Sequence, residues 1–190
     1  RTLMMKISLD YDYEYNVLGI SDFRSDAARS SYYKFIELNH ASLDGDIIES
    51  GVYRGRSLIA TALLLKELGS KKLVYGFDSF SGFPPIYSDY DNIASFKKLF
   101  EEGRISEQHF NAVQKNKAIR DILTDSNTDV SNISSSGDFS DTNRALLEKK
   151  IDLLGLDNVV LVEGNFTDTM IPSNGPKKIF ACMMDNDLYQ

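Results

Sequence analysis

The sequence predicts an α/β protein, with a Rossmann-like, doubly wound, mostly parallel sheet and helices on both faces. Three observations predict it. Short apolar runs at 46–50, 73–77, 158–162 and 178–184 alternate with longer helical patterns, the arrangement that builds βαβ units. The first run passes into Glu49-Ser50-Gly51-Val52-Tyr53-Arg54-Gly55-Arg56-Ser57, which reads as strand, tight glycine turn and helix start. Each run ends in polar residues: Glu49, Asp78, Glu163-Gly164-Asn165, and Asp185 with Asp187. In an open parallel sheet that edge is where ligands bind.

The elements follow in order. Residues 1–19 carry tyrosines and acids without a clear period and are read as irregular. Residues 25–43 read as a helix with Tyr32, Tyr33, Phe35, Ile36 and Leu38 on its apolar face. The Asp44-Gly45 pair breaks it before the first strand. Residues 56–68 form the clearest helix, because Leu58, Ile59, Ala62, Leu65 and Leu68 line one stripe and Gly69 stands where a helix-ending glycine belongs. The second strand ends on Asp78, and a loop closed by Pro84-Pro85 follows. Helices are predicted over 92–102 and 105–123, and a Ser, Asn, Asp and Thr-rich mobile loop over 124–140. A helix over 141–154, ended by Gly155, precedes the third strand. The fourth strand is an unbroken apolar run, the pattern of a strand buried on both faces, and Cys182 within it is expected to be buried. The expected strand order is 3-2-1-4. A helical cap region over 1–43 and one cofactor-binding domain over 44–190 are expected.

Composition narrows the function. The chain has 190 residues, 42% hydrophobic and 26% charged, which suits a globular domain. Twenty-eight acids against 21 bases leave a net charge of −7, which argues against nucleic acid or an anionic membrane as partner. The single cysteine excludes a disulfide framework and points to a reducing, cytoplasmic setting. No apolar run approaches the roughly 20 residues of a membrane span. His40 and His109 read as solvent-facing helical residues. Both chain ends read as cuts within a longer protein.

The strand ends carry the chemistry. A carboxylate at Asp78, one βα unit beyond the glycine turn, can accept hydrogen bonds from ribose hydroxyls, which indicates an adenosine-containing cofactor. A dinucleotide fingerprint needs G-x-G-x-x-G. Here only Gly51 and Gly55 are present, with Glu49 ahead of them. No triphosphate loop of the G-x-x-x-x-G-K type occurs. An acid before the first glycine repels phosphate and suits a cofactor bearing a positive amino group, such as S-adenosylmethionine.

Five ordered motifs carry a resemblance that covers residues 44–190. They are Glu49-Ser50-Gly51-Val52-Tyr53-Arg54-Gly55, the segment Tyr75 to Pro84, Gly137-Asp138-Phe139-Ser140, Glu163-Gly164-Asn165-Phe166-Thr167-Asp168-Thr169, and Asp185-Asn186-Asp187-Leu188-Tyr189. Together they resemble the macrocin O-methyltransferase (TylF/MycF) family of S-adenosylmethionine-dependent enzymes. The resemblance implies methyl transfer to a hydroxyl of a sugar or other small-molecule natural product, assisted by Mg2+. It implies that Glu49 and Gly51 hold the methionine end, with Ser50 and Gly55 in the same turn. Asp78 would take the ribose, and Ser79 and Gly82 would shape its loop. Gly137, Asp138 and Ser140 would close over the cofactor, and Gly164, Asn165 and Phe166 would flank the adenine. Asp185 would bind the metal, and Asp185 or Asp187 would act as ligand or general base. Ser50 stands in place of a usual Cys or Ala, and Asn186 in place of a usual Gly. Residues 104–136 are long for the family and are expected to shape the acceptor pocket. The chain stops before the family's later metal ligands, so an incomplete metal site is expected. A homo-oligomer is compatible with this reading. Rival readings are a nicotinamide-dependent oxidoreductase and a non-catalytic cofactor-binding fragment.

Overall fold

Four parallel strands organise the larger part of the chain: β1 (Asp46–Ser50), β2 (Val74–Asp78), β3 (Val159–Glu163) and β4 (Ile179–Met184), in the spatial order β3-β2-β1-β4. The computed structural model describes residue 9 and residues 12–83, 93–124 and 141–186. It divides into two units, one of Arg1–Phe80 with Thr142–Asp185 and one of Ser81–Asp141 with Asn186–Gln190.

In the first unit, β1 lies between β2 and β4, with Glu49 opposite Gly76 on one side and Met183 on the other. Seven helices are described in the two units, beginning with α1 (Asp12–Leu18), α2 (Ser30–Asn39) and α3 (Arg56–Glu67). Helix α3 is buried at every residue from Ser57 to Leu65, more completely than the amphipathic stripe predicted. It lies close against the sheet at Gly76, where an added Cβ would stand 3.0 Å from both Leu58 Cδ atoms and 2.9 Å from Val52 Cγ2. Ile36 of α2, Leu147 and Leu154 around α6 (Arg144–Leu153), and Ile47 of β1 join the same core. Lys66 ties α3 to the end of α6 by donating to the carbonyls of Leu154 at 2.8 Å and Gly155 at 3.2 Å.

Several boundaries differ from the sequence reading. Helix α1 forms where no regular structure was expected. Tyr15 anchors it, 4% exposed, with its hydroxyl accepting from Arg24 Nη1 at 2.8 Å, and Leu18 packs against the same core. The predicted 25–43 helix is a 3-10 turn (Ala27–Arg29) followed by the shorter α2, with Asp26 capping the turn through Arg29 N. After β3, the chain forms a short helix, α7 (Phe166–Thr169), that the sequence pattern does not announce.

The expectation that β4 is buried on both faces does not hold. Ile179 and Met184 are 58% and 59% exposed, and Cys182 is exposed. The reason is position: among the described residues β4 pairs with β1 only, at the sheet's edge. An apolar run has the same composition at an edge as in the middle.

The second unit contains α4 (Ile93–Glu101) and α5 (Glu107–Thr124). Their rings stack, Phe100 on Phe110 at 5.4 Å and Phe96 on His109 at 6.2 Å. Apart from Thr124, the expected 124–140 loop lies outside the described residues.

Candidate functional site

The site is built at the C-terminal ends of the strands in the first unit. The chain leaves β1 through Gly51, at φ 82°, passes Tyr53 at φ 52° and enters α3 from Gly55 at φ 75°. Tyr53 adopts a left-handed conformation that non-glycine residues rarely hold without support. The support comes from Asp78. Its Oδ2 accepts from Tyr53 N at 2.8 Å, and its Oδ1 accepts from Phe80 N at 2.7 Å. Phe80 is the other non-glycine residue with positive φ, at 49°. One carboxylate therefore pins both unusual backbones. Thr142 adds a hydrogen bond from its hydroxyl to the Tyr53 carbonyl. Gly164 N donates to the Asp78 carbonyl at 2.9 Å and joins the loop after β3 to the same point.

Glu49 is fully buried. Ser57 Oγ donates to its Oε1 at 2.7 Å, whereas Oε2 is buried without a hydrogen-bond partner. Burial pushes the Glu49 carboxyl up to about 7, and the negative charge of Asp185 acts in the same direction. The Ser57 hydroxyl, the positive charge of Arg29 and the Leu58 N–H pull it back. A buried acceptor that lacks a donor is costly, and it is matched by a ligand that brings one. A cationic amino group does so and also neutralises the buried charge. The residues at hand thus fit the amino-acid end of a sulfonium nucleoside. At Asp78 each oxygen takes one backbone N–H and keeps a further lone pair for a ribose hydroxyl.

The family model described as macrocin-O-methyltransferase (TylF) matches residues 33–158. The chain belongs to that family. Two solved structures share its fold. One is titled as the O-methyltransferase NovP, with 17% identity, a TM-score of 0.56, and coverage of 85% of this chain and 54% of that one. The other is titled as CalS11, a calicheamicin methyltransferase, with 19% identity, a TM-score of 0.51, and coverage of 95% and 57%. The chain thus spans little more than half the length of these two structures. Comparison with curated proteins finds no match.

The TylF-family motifs stand as follows. Glu49, Ser50, Gly51, Gly55, Asp78, Ser79, Gly164, Asn165, Phe166 and Asp185 all lie at or just beyond the strand ends of the first unit. Hydrogen bonds link their backbones: Gly51 N to Phe77 O at 3.0 Å and Asp185 N to Ser50 O at 2.9 Å. The Ser50 hydroxyl turns toward β4 and meets Met184 Sδ at 3.3 Å. Asn165 caps α7, its Oδ1 accepting from Thr167 N and from the Thr167 hydroxyl, each at 2.9 Å. Gly82 belongs to the second unit, at φ 83°. Gly137, Asp138, Ser140 and Asp187 lie outside the described residues. Among the described residues no group of three His, Cys, Asp or Glu side chains is placed to hold a metal ion.

Sequence reasoning misses three contributors, Ser57, Tyr53 and Phe80. Ser57 was read as a helix start, although its place one turn after an acid-ended strand could have flagged it. The left-handed residues Tyr53 and Phe80 carry no such signal. Removing the Asp78 carboxylate tests the clamp. Asp78→Ala is expected to lower stability by about 3–6 kcal/mol, the worth of two charge-assisted hydrogen bonds, and to weaken binding of S-adenosylhomocysteine at least about tenfold. Asp78→Asn, which keeps one acceptor oxygen, should fall between. Thermal unfolding with and without ligand checks both.

Proposed function

We propose that this chain is the cofactor-binding part of an S-adenosylmethionine-dependent O-methyltransferase acting on a hydroxyl of a sugar or small-molecule natural product. The observation that carries the proposal is the fully buried Glu49 with one unpartnered carboxylate oxygen, at the same strand edge as Asp78. Family membership supports it, as does the fold shared with structures titled as methyltransferases.

When bound, the cofactor supplies a methyl carbon on a sulfonium, open to in-line attack by an acceptor oxygen. This chain's residues bind and orient. Glu49 takes the amino group, Asp78 the ribose hydroxyls, and the Gly51–Gly55 turn lets the backbone approach closely. Gly164 and Phe166 serve the adenine end, with Asn165 shaping that loop. Fixing both ends of one ligand turns an encounter into a positioned reaction, an effect worth up to about 7–11 kcal/mol in favourable cases. Asp185 is the proposed magnesium ligand and, with Asp187, the proposed acid–base group. Among the described residues no set of three ligating side chains assembles around Asp185. No helix among the described residues is long and apolar enough to cross a membrane, and a cytoplasmic setting is part of the proposal.

Calorimetry with S-adenosylhomocysteine tests the reading, with binding in the micromolar range expected. A well-folded protein that gives no heat with it, or one stabilised by nicotinamide dinucleotide instead, overturns the proposal.

A further inference from the structure

We infer that Ser57 is a positioning residue for the cofactor's amino group: its hydroxyl holds one oxygen of Glu49 so that the other is left for the ligand. The inference rests on the reading of Glu49 given above and adds a second residue to it.

Three observations carry it. Ser57 is 8% exposed and Glu49 fully buried, so their 2.7 Å hydrogen bond is formed away from water. In that setting it is stronger than a surface bond and fixes the side-chain angle. Secondly, Ser57 sits in the first turn of α3, where a serine hydroxyl commonly serves the helix's own free N–H groups. Helix α3 has no side-chain cap at Gly55, yet this hydroxyl crosses to the strand end. Thirdly, the bond satisfies only half of the carboxylate. Oε2 stays buried without a partner, which a purely structural hydrogen-bond pair would not leave behind.

The surroundings decide the charge state that Ser57 works on. Arg29 faces Glu49 from the turn before α2, Tyr32 and Tyr33 from α2, Leu58 N–H from α3 and Asp185 from the end of β4. One turn beyond Ser57, Thr61 Oγ1 points to the Tyr32 hydroxyl at 3.5 Å. Both tyrosine hydroxyls are held above their ordinary range by burial and remain neutral. After burial itself, the Ser57 hydrogen bond is the strongest influence on the Glu49 carboxyl, and it favours the ionised form. A cationic amino group binds that form. Its affinity therefore rises as pH passes through about 7 and levels off above. Without the hydroxyl the rise moves to higher pH.

The test compares the wild-type protein with Ser57→Ala, using S-adenosylhomocysteine and 5′-methylthioadenosine, the same nucleoside without the amino-acid end. The expected result is a loss of about tenfold in S-adenosylhomocysteine affinity at neutral pH, the effect of one such hydrogen bond. Methylthioadenosine affinity should stay within about twofold. The pH profile for S-adenosylhomocysteine alone should shift upward. Retained methylthioadenosine binding shows that the variant is folded. Equal losses for both ligands, or an unchanged profile and affinity, overturn the inference while leaving the Glu49 reading intact. A wild-type protein that binds methylthioadenosine and S-adenosylhomocysteine equally well removes the Glu49 reading itself, and Ser57's role with it.

Discussion

Glu49→Gln should make the ligand-free protein more stable at pH 8 and almost unable to bind S-adenosylhomocysteine. The stability gain follows from linkage. An unfolded Glu49 ionises near its ordinary 4.5, whereas the folded one is pushed up to about 7. Between those values the folded state holds a proton that the unfolded state has lost, so raising the pH works against folding. The penalty is absent below about pH 4.5 and complete above about 7. Its full size is about 3 kcal/mol, or roughly 6–12 °C in Tm for a chain of this length. Glutamine does not titrate, so the variant's advantage should grow from pH 4.5 to 7 and then stay constant. Binding moves the other way. The variant cannot neutralise an ammonium, and losing one partner of a buried pair costs about 3–5 kcal/mol, a hundredfold or more in affinity. Melting curves across pH, with and without S-adenosylhomocysteine, measure both effects. A pH-independent difference in Tm, or a variant less stable than wild type at pH 8, would show that Glu49 is not a buried charge.

Gly55→Ala should destabilise the fold strongly. Gly55 holds φ 75° as the residue from which α3 starts, a left-handed conformation that costs alanine about 1–2 kcal/mol. An added Cβ would also stand 2.3 Å from Leu147 Cδ1, and Leu147 is 2% exposed in the core beside it. Overpacking of this kind adds about 1–3 kcal/mol. The expected total is about 2–5 kcal/mol, a fall of roughly 4–20 °C in Tm. Adding Leu147→Ala opens the space that the methyl group needs, so the double variant should lose less than the sum of the singles. Urea unfolding of the four proteins decides it. A loss under about 0.5 kcal/mol in the single variant, or strict additivity, would sink the packing argument.

Much of the frame was legible in the sequence for identifiable reasons. Alternation of short apolar runs with helical patterns announced β1 to β4, and their polar ends marked the edge where Glu49, Asp78 and Asp185 gather. The strand order 3-2-1-4, expected from the resemblance to the methyltransferase family rather than from the runs themselves, stands in the structure. Other features depend on space rather than pattern. Helix α1 exists because Tyr15 finds a buried seat and a guanidinium, and no periodicity records that. The exposure of β4 depends on what lies beside it. The Ser57–Glu49 bond joins the end of a strand to the first turn of the next helix, and a linear reading sees two separate motifs. The clamp at Asp78 needs Tyr53 and Phe80 in conformations that glycine would have advertised and these aromatics do not.

That clamp has an evolutionary consequence. Because one side chain anchors the backbone of both crossover turns, neither turn is a free module. A chimera that imports residues 51–55 from a relative, while keeping the native segment around Phe80, would separate an anchor from the geometry it maintains. The two segments are expected to be inherited, and successfully exchanged, only as a pair.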